Sequence, residues 1–191
     1  MEHLSILEQA ANSFLTNSNL PDSAAVVEAL LQAENQARQR KSSASFEQLI
    51  GTWQLCFITG TKKTRQKAGI VLGAGKYIPK FIKITLTYFL SQEQGRVNNC
   101  VEVGGLNFSL TGPTKFLTKK NLLAFDFTQM IVKLFNFKIY QGYIRSGKSK
   151  EENFDQEKIN QQAFFAYFFI QDRLIAARGR GGGLALWTRI D

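Results

Sequence analysis

FIKITLTYFL, residues 81–90, alternates with a period of two. Ile82, Ile84, Leu86, Tyr88 and Leu90 fall on one side of an extended chain, and Lys83, Thr85, Thr87 and Phe89 fall on the other. One side is therefore core and the other faces water or lipid. SQEQG at 91–95 turns the chain into RVNNCVEV, where Val97, Val101 and Val103 again bury one side, and Gly104-Gly105 permits a tight turn into LNFSLTG. This is an antiparallel meander.

Working outward, further strand-like pieces follow at NLLAFDFTQM (121–130), LFNFKIYQGYI (134–144), AFFAYFFIQ (163–171), DRLIAARG (172–179) and GLALWTRI (183–190). Upstream, FEQLIGTWQL contains a short helical turn that ends at Gly51, and Trp53 starts a strand. Eight or nine strands result, with the strands from Ile84 onward expected as successive neighbours. Too few helical patterns intervene for a parallel sheet, and closing a curled antiparallel sheet of this size removes its exposed edges. The fold class expected is mainly β, one antiparallel barrel over 46–191, with Trp53 and Trp187 buried.

Before it lies a helical arm, 1–45. Leu4, Leu7, Ala11, Phe14 and Leu15 recur at three- and four-residue intervals, and Pro21-Asp22 opens a second helix that ends near Arg38 and Arg40. A barrel filled by its own aromatics has no room for these helices, so they should pack outside it or across one end.

The bulk properties suit one domain: 191 residues, 44% hydrophobic, with 16 Phe. Cys56 and Cys100 fit no CxxC, zinc or disulfide-scaffold spacing and read as buried thiols. The N-terminus lacks the basic and apolar regions of a secretory leader, and the longest apolar run, around Phe164 to Ile170, is too short to cross a bilayer as a helix. The net charge of +9 suits an anionic partner surface. No acidic residue falls between Glu47 and Glu93, while Lys62, Lys63, Arg65, Lys67, Lys76, Lys80 and Lys83 accumulate there.

Little supports catalysis. His3 is the single histidine and sits near a helix end, which argues against histidine acid–base chemistry or a histidine metal cluster. GAGKY at 73–77 and RSGKSK at 145–150 lack the spacing of a phosphate-binding loop and read as surface loops, and Glu151, Glu152, Asp155 and Glu157 read as surface charge. No cofactor or metal is expected. NFKIYQGYIRSGKSK at 136–150 mixes aromatic and basic residues as RNA-binding sheets do, but no RNP-like motif accompanies it, so nucleic acid is not the expected partner.

GTWQLCFITG at 51–60, GRVNNCVEV at 95–103 and, above all, DRLIAARGRGGGLALWTRI at 172–190 resemble the plastid lipid-associated protein family, the fibrillins, in a cyanobacterial-like form. Gly51 and Trp53 match its opening Gly-x-Trp; Asp172, Arg178, Gly179, Gly182 and Gly183 match its closing motif. The resemblance covers most of 46–190 and implies a lipocalin-type barrel. It also implies a non-enzymatic protein that handles apolar lipid or prenylquinone, peripheral to thylakoid membranes or plastoglobule-like lipid bodies, on the cytoplasmic side in a cyanobacterium. An alternative is a structural or protein-interaction module with no cavity.

On that reading Leu86, Tyr88, Phe125, Phe127 and Trp187 are wall candidates for a ligand, and small Ala176 and Ala177 leave room near Arg178. Turned inward, Arg178 needs a carboxylate, carbonyls or a ligand headgroup, with Asp126 or Asp172 as the partner. In the alternative role it locks the closing strands, with Trp53 stacked on its stem. Lys62, Lys63, Arg65 and Lys67 are the candidate contact with an anionic membrane.

Overall fold

A computed structural model describes residues 2–16, 18–40, 43–60 and 75–191. The two helices are α1 (Glu2–Thr16) and α2 (Ser23–Arg40), the second capped by the Asp22 carboxylate, which accepts from the Ala24 N–H at 3.0 Å. The strands are β1 (Gly51–Thr59), β2 (Gly75–Tyr77), β3 (Ile82–Ser91), β4 (Gln94–Val103), β5 (Leu106–Leu117), β6 (Leu122–Phe125), β7 (Gln129–Leu134) and β8 (Phe137–Tyr143). After helix α3 (Gly147–Asn153) come β9 (Ala163–Ile170), β10 (Leu174–Gly179) and β11 (Leu184–Arg189).

Every strand pairing among the described residues is antiparallel, and the order β4-β3-β1-β11-β10-β9-β6-β5 returns to β4, so eight strands close a lipocalin-like barrel. The remaining three are extensions: β2 adds to β1, and β7 and β8 add to β5. The meander over 81–112 forms as its alternation predicts, with Tyr88 opposite Val97 and Val97 opposite Gly112 on the inner face, but burial does not reach its ends: Val103 and Leu90, expected to be buried with that side, are exposed beside the turns. Its two turns place Gln92 and Glu93, then Gly104 and Gly105, at positive φ, the geometry of tight hairpins.

Neighbour order departs from sequence order beyond β5. That strand is long enough to serve two partners along one edge: Leu106–Thr111 pairs with β7, and Thr114–Leu117 pairs with β6. NLLAFDFTQM is accordingly two strands, and β9 returns to β6. At the switch, Gly112 lies so close to the crossing chain that a Cβ there would fall 1.8 Å from the Asp126 carbonyl oxygen. Only glycine fits. The 145–150 segment, expected as a loop, runs into α3, with Gly147 packed against the Thr128 backbone.

Two apolar layers result. Inside the barrel, Trp53, Leu86, Tyr88, Val97, Leu123, Ile175 and Trp187 are buried. Outside it, α1 packs on the outer face of β1 and β11, and α2 on β9 and β2, as the crowding argument expects. A bulge makes this second layer: Leu55 lies opposite Trp187 and faces inward, Cys56 is the extra residue, and Phe57 then lies opposite Leu186 on the outer face. Phe57 is buried there beside Val27 of α2, near Gly75. Burial pushes the Cys56 thiol up to about 12, which makes it inert.

Candidate ligand-binding site

The inner face gathers the aromatics that the strands bring inward. Phe125 stacks on Phe165 at 5.1 Å, Phe165 meets Trp187 edge-on at 5.3 Å, and Trp187 lies 6.5 Å from Tyr167. Tyr88 and Tyr167 share a hydrogen bond of 2.6 Å between their hydroxyls. Burial drives both phenols well above their ordinary range, so the pair stays neutral and closes its own polar requirement. Leu86, Tyr88, Phe125 and Trp187, named from the sequence, thus share one face, and Phe127 sits beside Phe125 at 5.3 Å. In this half the ring is packed by its own side chains.

The other half differs. On β3, β4, β5 and β7 the same inward face continues through Ile84, Val101, Phe108, Leu110, Met130 and Val132, and each of these is only half-buried. They form an apolar wall beyond the point where β5 exchanges β6 for β7. The candidate residues named from the sequence missed this wall. Its signal was present in the period of two in LNFSLTG and in QMIVKL, but their faces become comparable only once the β5–β7 register is known.

Arg178 stands elsewhere. It lies opposite Leu184 and Ala166, and shares its face with Ala176 and Leu186, which is the outer face beneath the helices. Its partner is Glu34 of α2, where the Arg178 Nε–H donates to one carboxylate oxygen at 2.7 Å and a second guanidinium N–H donates to the other; Nη1 also donates to the Gly182 carbonyl at 2.6 Å. Of the expected partners, Asp126 pairs with Lys150 at 2.9 Å, and Asp172 meets Arg189 through its backbone carbonyl, at 2.6 Å, rather than Arg178 through its carboxylate. The bidentate bond from Arg178 holds the Glu34 carboxyl below the usual carboxylate range, and Glu34 in turn raises Arg178. Around the pair lies an outer groove of about 560 Å³, lined by Arg38, Lys119, Lys120 and Phe168 among others.

The arginine over Trp53 is Arg189, not Arg178. Its guanidinium lies 4.2 Å from the indole centroid and donates to the Ile50 carbonyl at 2.9 Å, while the Trp53 indole N–H donates to the Leu49 carbonyl at 2.7 Å. Together they close the lower end of the barrel. On the outside, Glu151 accepts from Thr128 and Arg96, each at 2.6 Å, and from Gln129 at 3.2 Å. Desolvation raises its pKa, but those hydrogen bonds outweigh it and leave the carboxyl below its ordinary range. This island anchors α3 to the sheet.

Lys62, Lys63, Arg65 and Lys67 lie outside the described residues. Among the described residues, no group of three His, Cys, Asp or Glu side chains could hold a metal ion, and no helix is long and apolar enough to cross a membrane.

Fold and site define a lipocalin-like antiparallel barrel of the kind that can hold an apolar small molecule, with helices packed outside it. No protein-family model and no curated protein matches the sequence. Among solved structures, the crystal structure of fatty-acid-binding protein 1 from Echinococcus granulosus aligns with 76% of this chain and 99% of its own, at 10% identity and a TM-score of 0.33. At that level the likeness carries no argument about function.

Proposed function

We propose that this protein is a non-enzymatic binder of apolar lipid, with prenylquinone-like molecules as its ligands. In this reading it works peripherally at photosynthetic membranes or lipid bodies, on the cytoplasmic side in a cyanobacterium, as a member of the plastid lipid-associated family. The observation that carries the proposal is the half-buried apolar wall of β3, β4, β5 and β7, which continues the inner face of the barrel where the ring is not filled by its own aromatics. Supporting it are the resemblance of 51–60, 95–103 and 172–190 to that family and the net charge of +9. Phe125, Phe127, Tyr88, Leu86 and Trp187 form the floor of the site, Val132 and Leu110 its wall, and Lys62, Lys63, Arg65 and Lys67 attract anionic lipid. Arg178, committed to Glu34, holds the helical arm.

A second reading, a membrane-surface or interaction module without a ligand, draws on the ring contacts that fill the Phe165, Tyr167 and Trp187 half. One experiment separates the two. Delipidated protein is incubated with a prenylquinone, and the amount retained after gel filtration is measured. Wild type should retain it, and Val132→Asp should weaken retention at least about tenfold, because the ligand would then cover an unpaired carboxylate. Val132 is half-buried on an added strand, so thermal unfolding should show the variant folded. No retention by wild type, or equal retention by both proteins, overturns the ligand reading.

A further inference from the structure

The largest exposed apolar side chains among the described residues collect at one end of the barrel. Phe137, Phe81 and Phe135 are 78%, 72% and 71% exposed. Phe81, Leu106 and Phe135 line one shallow cleft beside the Gly104-Gly105 turn, and the Phe135 ring lies where a Cβ on Gly105 would come within 2.7 Å of it. Phe137 stands opposite Leu134 at the base of the β7–β8 turn. One register step back, Lys133 and Lys138 are directly opposite each other and both are exposed.

Neither half of this arrangement suits water. Solvent-exposed phenyl rings on adjoining turns form an apolar patch of a kind that soluble surfaces avoid, and like charges directly opposed across two strands repel. Among the described residues, neither lysine has an ion-pair partner, and Lys138 donates only to the Gln141 amide oxygen. Lys83 nearby stands opposite Glu102, and Lys80, which lines the same cleft, is turned to Phe14 of α1, whose carbonyl accepts from it and whose ring lies 4.2 Å away, so Lys133 and Lys138 are the cations of this end that are left to meet an outside anion. An anionic bilayer surface satisfies both halves at once: apolar turn tips enter the acyl boundary while lysines set one step behind them reach the headgroups.

We propose that the β4–β5 and β7–β8 turns, with Phe81 beside them, are the surface by which this protein inserts into the interfacial layer of an anionic lipid membrane. Phe81, Leu106, Phe135 and Phe137 enter the layer, and Lys133 and Lys138 sit at the phosphates. The proposal rests on the peripheral-membrane part of the reading above and assigns it a surface; it places the apolar wall of β7 at the lipid boundary, from which a ligand would enter.

The test uses the full chain and co-sedimentation with vesicles of phosphatidylglycerol mixed into phosphatidylcholine. The triple variant Phe81→Ser, Phe135→Ser, Phe137→Ser should bind about a hundredfold more weakly. Lys133→Gln with Lys138→Gln should cost about twentyfold, and high salt should weaken wild type at least as much as that variant, because it screens every basic group at the surface. All five side chains are exposed, so circular dichroism and thermal unfolding should match wild type. Wild-type binding by the triple variant overturns the proposal, as does binding lost only on neutralising Lys62, Lys63, Arg65 and Lys67. Equal binding of wild type to pure phosphatidylcholine overturns the role of the lysines. Prenylquinone retention by the triple variant should remain at the wild-type level, so the insertion surface and the ligand reading fail separately.

Discussion

Trp53→Ala should destabilise the protein by about 4 kcal/mol, a typical cost for emptying a buried tryptophan site. The side chain is fully buried where β1 begins, and it joins three parts of the chain. Its indole N–H donates to Leu49 in the short helical turn that precedes the barrel, its ring carries the Arg189 guanidinium of the last strand, and its backbone pairs with Leu86 of β3. Alanine leaves a cavity, removes the indole N–H that the Leu49 carbonyl accepts, and strips Arg189 of its platform while Asp191 and the Ile50 carbonyl still hold it. Urea unfolding should show a lower midpoint with an unchanged slope, and thermal unfolding a fall of about 10 °C. Trp53→Phe should recover most of the packing but not the hydrogen bond. A loss for Trp53→Ala below about 1 kcal/mol would show that the barrel end is not held there.

Arg178→Ala should cost about 3 kcal/mol, because it leaves the Glu34 carboxylate uncompensated under the helical arm. Arg38 also reaches Glu34, at 3.1 Å, but its side chain is 69% exposed and offsets less than ~1 kcal/mol. The sign of the pH dependence follows from Glu34. Its folded pKa lies below the ordinary value of 4.5, so the contribution of the pair is complete above that value and is lost as pH falls through the folded pKa. The stability gap between wild type and Arg178→Ala should therefore be constant near neutrality and narrow on acidification below the ordinary carboxylate range. Glu34→Leu with Arg178→Met, which removes both charges, should recover most of the loss. A gap that widens in acid, or a double variant as weak as the single one, would contradict the pairing as the lock between arm and barrel.

The local rules of the chain were legible; its long-range commitments were not. Alternation in 81–90 and the glycines at 104 and 105 show the meander, its turns and which residues share a side, because these depend on neighbours in sequence. The bulge at Cys56 could not be read, since one extra residue changes which face Phe57 takes without changing composition. Nor could the double use of β5: nothing in LNFSLTGPTKFL states that its two halves pair with different strands, although Gly112 marks the place once the crossing chain is known. Arg178 is expected to need a partner only if it turns inward, and it stands on the outer face instead. Its partner there is Glu34, 144 positions away in a helix outside the resemblance, and the Arg189 role over Trp53 depended on the closing register of β1 with β11.

The same limit shaped the site. Period two groups the residues that share a side of each strand, but which side turns inward, and whether Tyr88, Phe125 and Trp187 line a cavity or fill it, depends on contacts across the barrel, such as the Tyr88–Tyr167 hydrogen bond. The half-buried wall on β5 and β7 emerged only from their pairing.

The central claim, that this wall holds an apolar lipid, is tested most directly by mass spectrometry of lipids that co-purify with the full chain from a photosynthetic host, with Val132→Asp purified in parallel. The account predicts a prenylquinone or similar apolar lipid enriched near one molecule per wild-type chain and depleted in the variant. The same trace of lipid in both preparations, at the level of an unrelated control protein, would contradict it.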